Sequence, residues 1–191
     1  VDIWGGSTIK PIIGLLAKFG TLENNGTDGK GIVAVDHGTA MMATDGSTIA
    51  NKGGAKVIAS GKFNDSNTKL GANNKQTNEA KAVGENYGIV GISDTDYKEN
   101  TTNHYNIDSN GHLDNSLEIT HDDSAIYAAG DLAVGIYGEN RYNADKSANG
   151  SVTINYKNTT GDTTGIDVRN DEAKNENTAR GVGIALVNKS N

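Results

Sequence analysis

Apolar residues in this chain fall into one short recurring phrase: a small residue, then Ile or an equivalent, a variable position, and a second small or aliphatic residue. The clearest copies are Gly31-Ile32-Val33-Ala34, Gly88-Ile89-Val90-Gly91, Ala125-Ile126-Tyr127-Ala128, Gly135-Ile136-Tyr137-Gly138, Gly165-Ile166-Asp167-Val168 and Gly183-Ile184-Ala185-Leu186. Ala40-Met41-Met42-Ala43 is a degraded copy. A second phrase, Gly46-Ser47-Thr48-Ile49-Ala50-Asn51, returns as Gly150-Ser151-Val152-Thr153-Ile154-Asn155 and more loosely as Asn115-Ser116-Leu117-Glu118-Ile119-Thr120. Alternation with a period of two predicts strands with one buried face. Ile32 to Met41 is 9 residues, Met41 to Ile49 is 8 and Ile49 to Ile58 is 9. Steps this short leave no room for a helical crossover. They predict short strands joined by corners, three to a coil of about 26 residues, and therefore a right-handed parallel β-helix of about six coils and an axis of about 30 Å. An antiparallel sandwich is the alternative, but its hairpin dipeptides are inconspicuous.

On this reading Ile32, Ile49, Ile58, Ile89, Ile126, Ile136, Ile154, Ile166 and Ile184 face inward, and Tyr127 and Tyr137 face outward. One stretch departs from the pattern. Ile12, Leu15, Leu16 and Phe19, with Pro11 before them and Gly20 after, have the spacing and punctuation of a short amphipathic helix over Pro11 to Phe19. Residues 1–30 then form an entry or cap segment, and residues 31–191 carry the repeats. Polar insertions interrupt the period at Gly61 to Ala82, Ser93 to Asn115, Glu139 to Asn149 and Arg169 to Ala179. In a solenoid such insertions project as loops, where any specificity would reside.

Composition supports a thin, repeated core. Only 35% of the 191 residues are hydrophobic and 5% aromatic, while Gly numbers 25 and Pro 1. Small residues suit a narrow interior, and the 24 Asn suit its corners, where stacked amides can form ladders. The net charge of −7 provides no basic footprint for nucleic acid and opposes anionic membrane surfaces. Cysteine is absent, so in an oxidising compartment the fold would have no disulfide staples. The apolar run from Ile9 to Phe19 is too short to span a bilayer and contains Lys10 and Lys18. The chain opens at Val1 in mid-pattern, as an excised segment of a longer protein would.

The Gly-Ile-Tyr-Ala/Gly strand followed by Gly-Ser-x-x-Ile-x-Asn resembles the β-helical passenger domains of type V secreted autotransporters, and most of all the fusobacterial-type outer-membrane autotransporter adhesins. The resemblance covers roughly Gly31 to Asn191 and is one of repeat grammar. It implies display on a bacterial surface, a β-barrel anchor elsewhere in the full chain, and adhesion to a host or bacterial surface protein or glycan.

Candidate chemistry is sparse. The acidic pairs Asp94/Asp96 and Asp122/Asp123 would need convergence on one groove to act as glycosidase carboxylates, and they read first as solvated corner residues. Asp108-x-Asn110-Gly111-x-x-Asp114 lacks the ligand alternation of a calcium loop. His37, His104, His112 and His121 contain no close zinc-ligand pair. Gly26 to Gly31 lacks the Lys-Ser/Thr of a phosphate loop, and no Gly-x-Ser-x-Gly elbow occurs. The expectation is therefore no catalytic residue, no metal and no cofactor, in a monomeric, extracellular binding or spacer segment. A polysaccharide-active enzyme ranks third. Tyr97, His104 and Tyr105 in the second insertion, and Arg141 and Tyr142 in the third, are the candidate contact residues, because Tyr and Arg concentrate at interface hot spots and aromatic faces suit sugar rings.

Overall fold

The computed structural model describes residues 2–3, 12–27, 31–35, 38–60, 85–94, 115–142, 150–161, 164–169 and 180–190. Among the described residues fourteen strands follow one another: β1 (Asp2–Ile3), β2 (Ile12–Lys18), β3 (Thr21–Asn25), β4 (Ile32–Val35), β5 (Gly38–Thr44), β6 (Thr48–Lys52), β7 (Lys56–Ser60), β8 (Glu85–Asp94), β9 (Leu117–Asp122), β10 (Ala125–Ala129), β11 (Leu132–Tyr142), β12 (Val152–Lys157), β13 (Gly165–Arg169) and β14 (Arg180–Ser190). Every third strand joins the same sheet. Sheet A runs β1-β4-β7-β10-β13, sheet B runs β2-β5-β8-β11-β14, and sheet C runs β3-β6-β9-β12. All pairings are parallel. The chain is a right-handed, three-sided β-helix.

Register turns the phrases into columns. Val33, Val57, Ile126 and Ile166 stack on sheet A. Leu15, Met41, Ile89, Ile136 and Ile184 stack on sheet B. Leu22, Ile49, Ile119 and Ile154 stack on sheet C. These columns meet in one core. Opposite the large residues of sheet C, sheet B offers Ala17, Ala43, Gly91 and Gly138. A Cβ on Gly91 would lie 2.5 Å from Leu117 Cδ2 and 2.8 Å from Ile119 Cδ1, so the interior is too narrow there for a side chain.

A second stack of small residues marks a bend in sheet B. A Cβ on Gly135 would lie 2.5 Å from the Gly183 carbonyl oxygen on the next coil and would overlap Ile166 Cγ2, and Gly88 stands in the same relation to Gly135 and Ile126. Corners are stacked as well. Phe19 N donates to Asp45 O and Asp45 N donates to Ile92 O, with both residues at positive φ, so the backbone ladder continues around the turn.

Three expectations change. The stretch expected to be helical over Pro11 to Phe19 is a strand from Ile12 to Lys18, and Pro11 lies outside the described residues. Leu15 and Ala17 reach the core from it, while Ile13 and Leu16 are exposed. The helical spacing of its apolar residues combines an inner and an outer set, and the ladder to β5 outweighs local preference. Ile32 and Ile58 do not face inward. Their neighbours Val33 and Val57 fill the core, and Ile32 and Ile58 join Ala34, Tyr127 and Ala129 in a separate cluster on the other side of sheet A. Finally, among the described residues the fourteen strands make fewer than five coils, against about six expected, with four steps along sheet B spanning about 19 Å. Insertions account for this: Val33 and its column partner Val57 are 24 residues apart, but Val57 and Ile126 are 69 apart.

The other inward assignments hold. Ile49, Ile89, Ile126 and Ile136 are fully buried, and Ile154 and Ile166 are partly buried against the core. Ile184 continues its column but is 43% exposed, because among the described residues β14 is the last strand of its sheet.

Candidate functional site

The insertions follow a spatial rule. Residues 61–84 and 170–179 connect sheet A to sheet B, and residues 95–116 and 143–151 connect sheet B to sheet C. All four therefore leave from the two edges of sheet B. The turns from sheet C back to sheet A are shorter, for example Gly53 to Ala55 and Asp123 to Ser124. Sheet B also has the longest strands, with 10 residues in β8 and 11 each in β11 and β14.

Strand length brings side chains together near the B-to-C edge. Alternation along β11 turns Tyr137, Glu139 and Arg141 away from the core side occupied by Ile136. Register places Arg141 beside Lys189 of β14 and Val134 beside Tyr87 of β8. The Glu139 carboxylate accepts from the Tyr137 hydroxyl at 2.6 Å and Arg141 Nε at 2.6 Å, and lies 2.9 Å from Lys189 Nζ. Glu139 is 3% exposed. Burial pushes its pKa up, but Arg141, Tyr137 and Lys189 prevail and hold it at about 2. Burial, then the hydrogen bond to this carboxylate, pushes the Tyr137 hydroxyl up to about 12. Tyr87 packs edge-on against Tyr137 with ring centroids 6.0 Å apart. The result is a fixed patch of two aromatic rings bordered by an anion held between two cations.

Of the residues singled out from sequence, Arg141 belongs to this patch. Tyr142 is the last residue of β11 and pairs with Ser190. The third insertion therefore begins after Tyr142, not at Glu139. Tyr97, His104 and Tyr105 lie outside the described residues, as do Asp96, His37, His112 and the stretch from Asp108 to Asp114. Sequence reading missed Tyr87, Glu139 and Lys189 as parts of one patch, because they come from three strands and lie 50 to 102 residues apart, joined only by the register of those strands. Tyr137 faces outward as expected and meets an aromatic partner on the adjacent coil. Asp122 and Asp123 are solvated corner carboxylates that share Lys157 Nζ at 2.7 and 3.2 Å.

A polar ladder occupies the edge of sheet C nearest sheet A. Asn24, Asn51, His121 and Tyr156 stack in register. Asn24 Nδ2 donates to Asn51 Oδ1 at 3.0 Å and to Lys56 O at 3.0 Å, and Asn51 Nδ2 donates to Ala125 O at 3.3 Å. These carbonyls fix the amide orientations, so His121 Nδ1, 3.3 Å from Asn51 Nδ2, acts as an acceptor. Burial lowers the pKa of His121, with Ser124, Asp122 and Asp123 acting in the opposite direction. The Tyr156 ring stacks on it at 5.3 Å with an interplanar angle of 4°. This is the amide ladder expected of corner Asn residues, continued by aromatic rings.

Among the described residues no group of three His, Cys, Asp or Glu is placed to hold a metal ion, and no helix is long and apolar enough to cross a membrane. No family model, curated protein or solved structure matches this chain.

Proposed function

We propose that this chain is an adhesive segment of a surface-displayed bacterial protein, a β-helical passenger of the type V autotransporter kind, and that its binding side is sheet B. The observation that carries this reading is the origin of all four insertions at the two edges of sheet B. Insertions in a solenoid are where specificity resides, and here all four join the spine at the ends of sheet B strands. Between those edges lies the Tyr87, Tyr137, Glu139 and Arg141 patch, whose aromatic faces and held charges suit a sugar ring or a polar protein surface. The segment binds without turning over its ligand. It is displayed outside the cell, with its membrane anchor in another part of the protein.

The test compares the wild-type chain with a variant in which residues 95–114 are replaced by a short Gly-Ser linker, and with Arg141→Ala. Each is applied to a glycan array and used for capture from host-cell lysate. Adhesion predicts a saturable ligand that either change weakens at least tenfold. Equal binding by all three chains would refute a binding side on sheet B, and the absence of any ligand would leave the chain a spacer.

A further inference from the structure

The corner where sheet C turns into sheet A lies across the coil from sheet B, and it buries an imidazole. His121, near the end of β9, is 0% exposed. It interrupts a column that the coils below it build from two amides, Asn24 and Asn51. The ladder has a direction. Asn24 Nδ2 donates to Asn51 Oδ1, and Asn51 Nδ2 donates to Ala125 O and to His121 Nδ1. Asn51 cannot turn over, since its oxygen would then face Ala125 O and its amino group would face that of Asn24. The ring therefore presents a lone pair at Nδ1 and carries its proton on Nε2, which is buried with no hydrogen-bond partner among the described residues. A second proton, at Nδ1, would set N–H against N–H inside the spine.

We propose that His121 makes this corner an acid-operated joint: on protonation the ring leaves the ladder, the Asp123–Ser124 turn moves out with it, and the coils away from the corner stay folded. The surroundings oppose protonation in place. Burial acts against the charged ring most strongly, and the Ser124 backbone, Asp122 and Asp123 favour it more weakly. Both carboxylates are shared with Lys157 Nζ of β12, at 2.7 and 3.2 Å, and Lys52 of β6 stands beside Asp122 in register. Above the ring Tyr156 of β12 stacks at 5.3 Å, and below it lies the fixed amide of Asn51. Across the corner is Ala125 of β10, with Lys56 of β7 as its register neighbour. Only two residues join β9 to β10, so a small movement of the turn brings the ring to water. Coils couple mainly to their neighbours, which allows such an opening to stay local.

The open corner takes up a proton below the ordinary histidine value of 6.5, and the closed corner refuses it. Opening should therefore become about tenfold more frequent between pH 7.5 and pH 5.5. Backbone amides across the corner report it: Asp123 N donates to Lys157 O, Ala125 N to Ala55 O, Gly54 N to Asp123 O and Gly165 N to Ser124 O. Phe19 N and Asp45 N, which lace the corner between sheets B and C, serve as the internal control.

The experiment is amide hydrogen exchange on the full 191-residue chain at both pH values, corrected for the intrinsic rate, in wild type and in His121→Asn. The variant continues the amides of the coils below and keeps every other histidine. The expected result is a loss of protection of about tenfold at the reporting corner of the wild type, with the control corner unchanged and the variant flat. Unchanged protection at the reporting corner overturns the proposal, and so does an equal loss in His121→Asn. An equal loss at both corners also overturns it, because His121 would then be an ordinary buried base felt by the whole fold. The titration of the His121 ring resonances in the wild type keeps the test independent of the variant: a midpoint at or above 6.5 removes the driving force and sinks the joint.

Discussion

Ile136 and Ile184 carry the same phrase, sit in the same column and differ in their position along the stack, which makes them a controlled pair. Ile136 is fully buried between Ile89 below and Ile184 above, with sheet C across a narrow interior. Ladders on three sides keep the walls apart, so truncation to Ala leaves a cavity that the coil cannot collapse to fill. Large-to-small replacements in such cores cost about 2–5 kcal/mol, and poor collapse places Ile136→Ala near about 4 kcal/mol. Ile184 is 43% exposed, has one coil neighbour, and solvent enters the space its truncation vacates. Full burial of such a side chain is worth about 1.5–3 kcal/mol, so Ile184→Ala should cost about 1 kcal/mol, without a cavity contribution. Urea unfolding followed by far-UV circular dichroism reads both. Coils couple mainly to their nearest neighbours, so a second transition at low urea, reporting the last coils alone, is an admissible form of the Ile136→Ala loss. Variants that agree to within about 0.5 kcal/mol would refute the column assignment, because burial within the stack would then not govern stability.

Two further outcomes follow from particular atoms. Gly135→Ala should lower the melting temperature, since its Cβ meets the Gly183 carbonyl at 2.5 Å, whereas Gly183→Ala, with nothing within 4 Å, should be neutral or raise stability by about 0.5 kcal/mol; a calorimetric scan of both variants decides. His121 has its pKa lowered in the fold, so its neutral form carries no pH dependence well above the ordinary value of 6.5. As pH falls below 6.5 the unfolded chain takes up a proton that the folded chain refuses, and stability drops by up to about 1.4 kcal/mol per pH unit until the folded value is reached. His121→Asn, which restores the amide of the two coils below, should remove that slope in urea midpoints measured between pH 7.5 and 5.5, and an unchanged slope would assign it elsewhere.

How far the sequence reveals this molecule depends on whether a feature is local in the chain. Strand identity and the three-sided coil were legible, because each phrase pairs with the next copy of itself and the steps of 9, 8 and 9 residues match successive sheets. The face of a strand was legible where one Ile stands among small or polar residues, as at Ile49 and Ile136. It was not legible in Ile32-Val33 or Val57-Ile58, where adjacent β-branched residues satisfy either frame and a shift of one residue exchanges inside for outside. Only the register with Ile126 selects Val33 and Val57. The Ile12–Lys18 segment fails in a related way: with Gly14 at the bend in place of an alternating side chain, its apolar spacing imitates a helix. The sheet B patch is less local still. Arg141 was conspicuous beside Tyr142, but Glu139 was read as the start of an insertion rather than as its strand neighbour two residues away, Lys189 acquires meaning only from the pairing of β11 with β14, and Tyr87 only from that of β11 with β8. A repeat protein thus writes its spine into the chain and leaves its sites to the register.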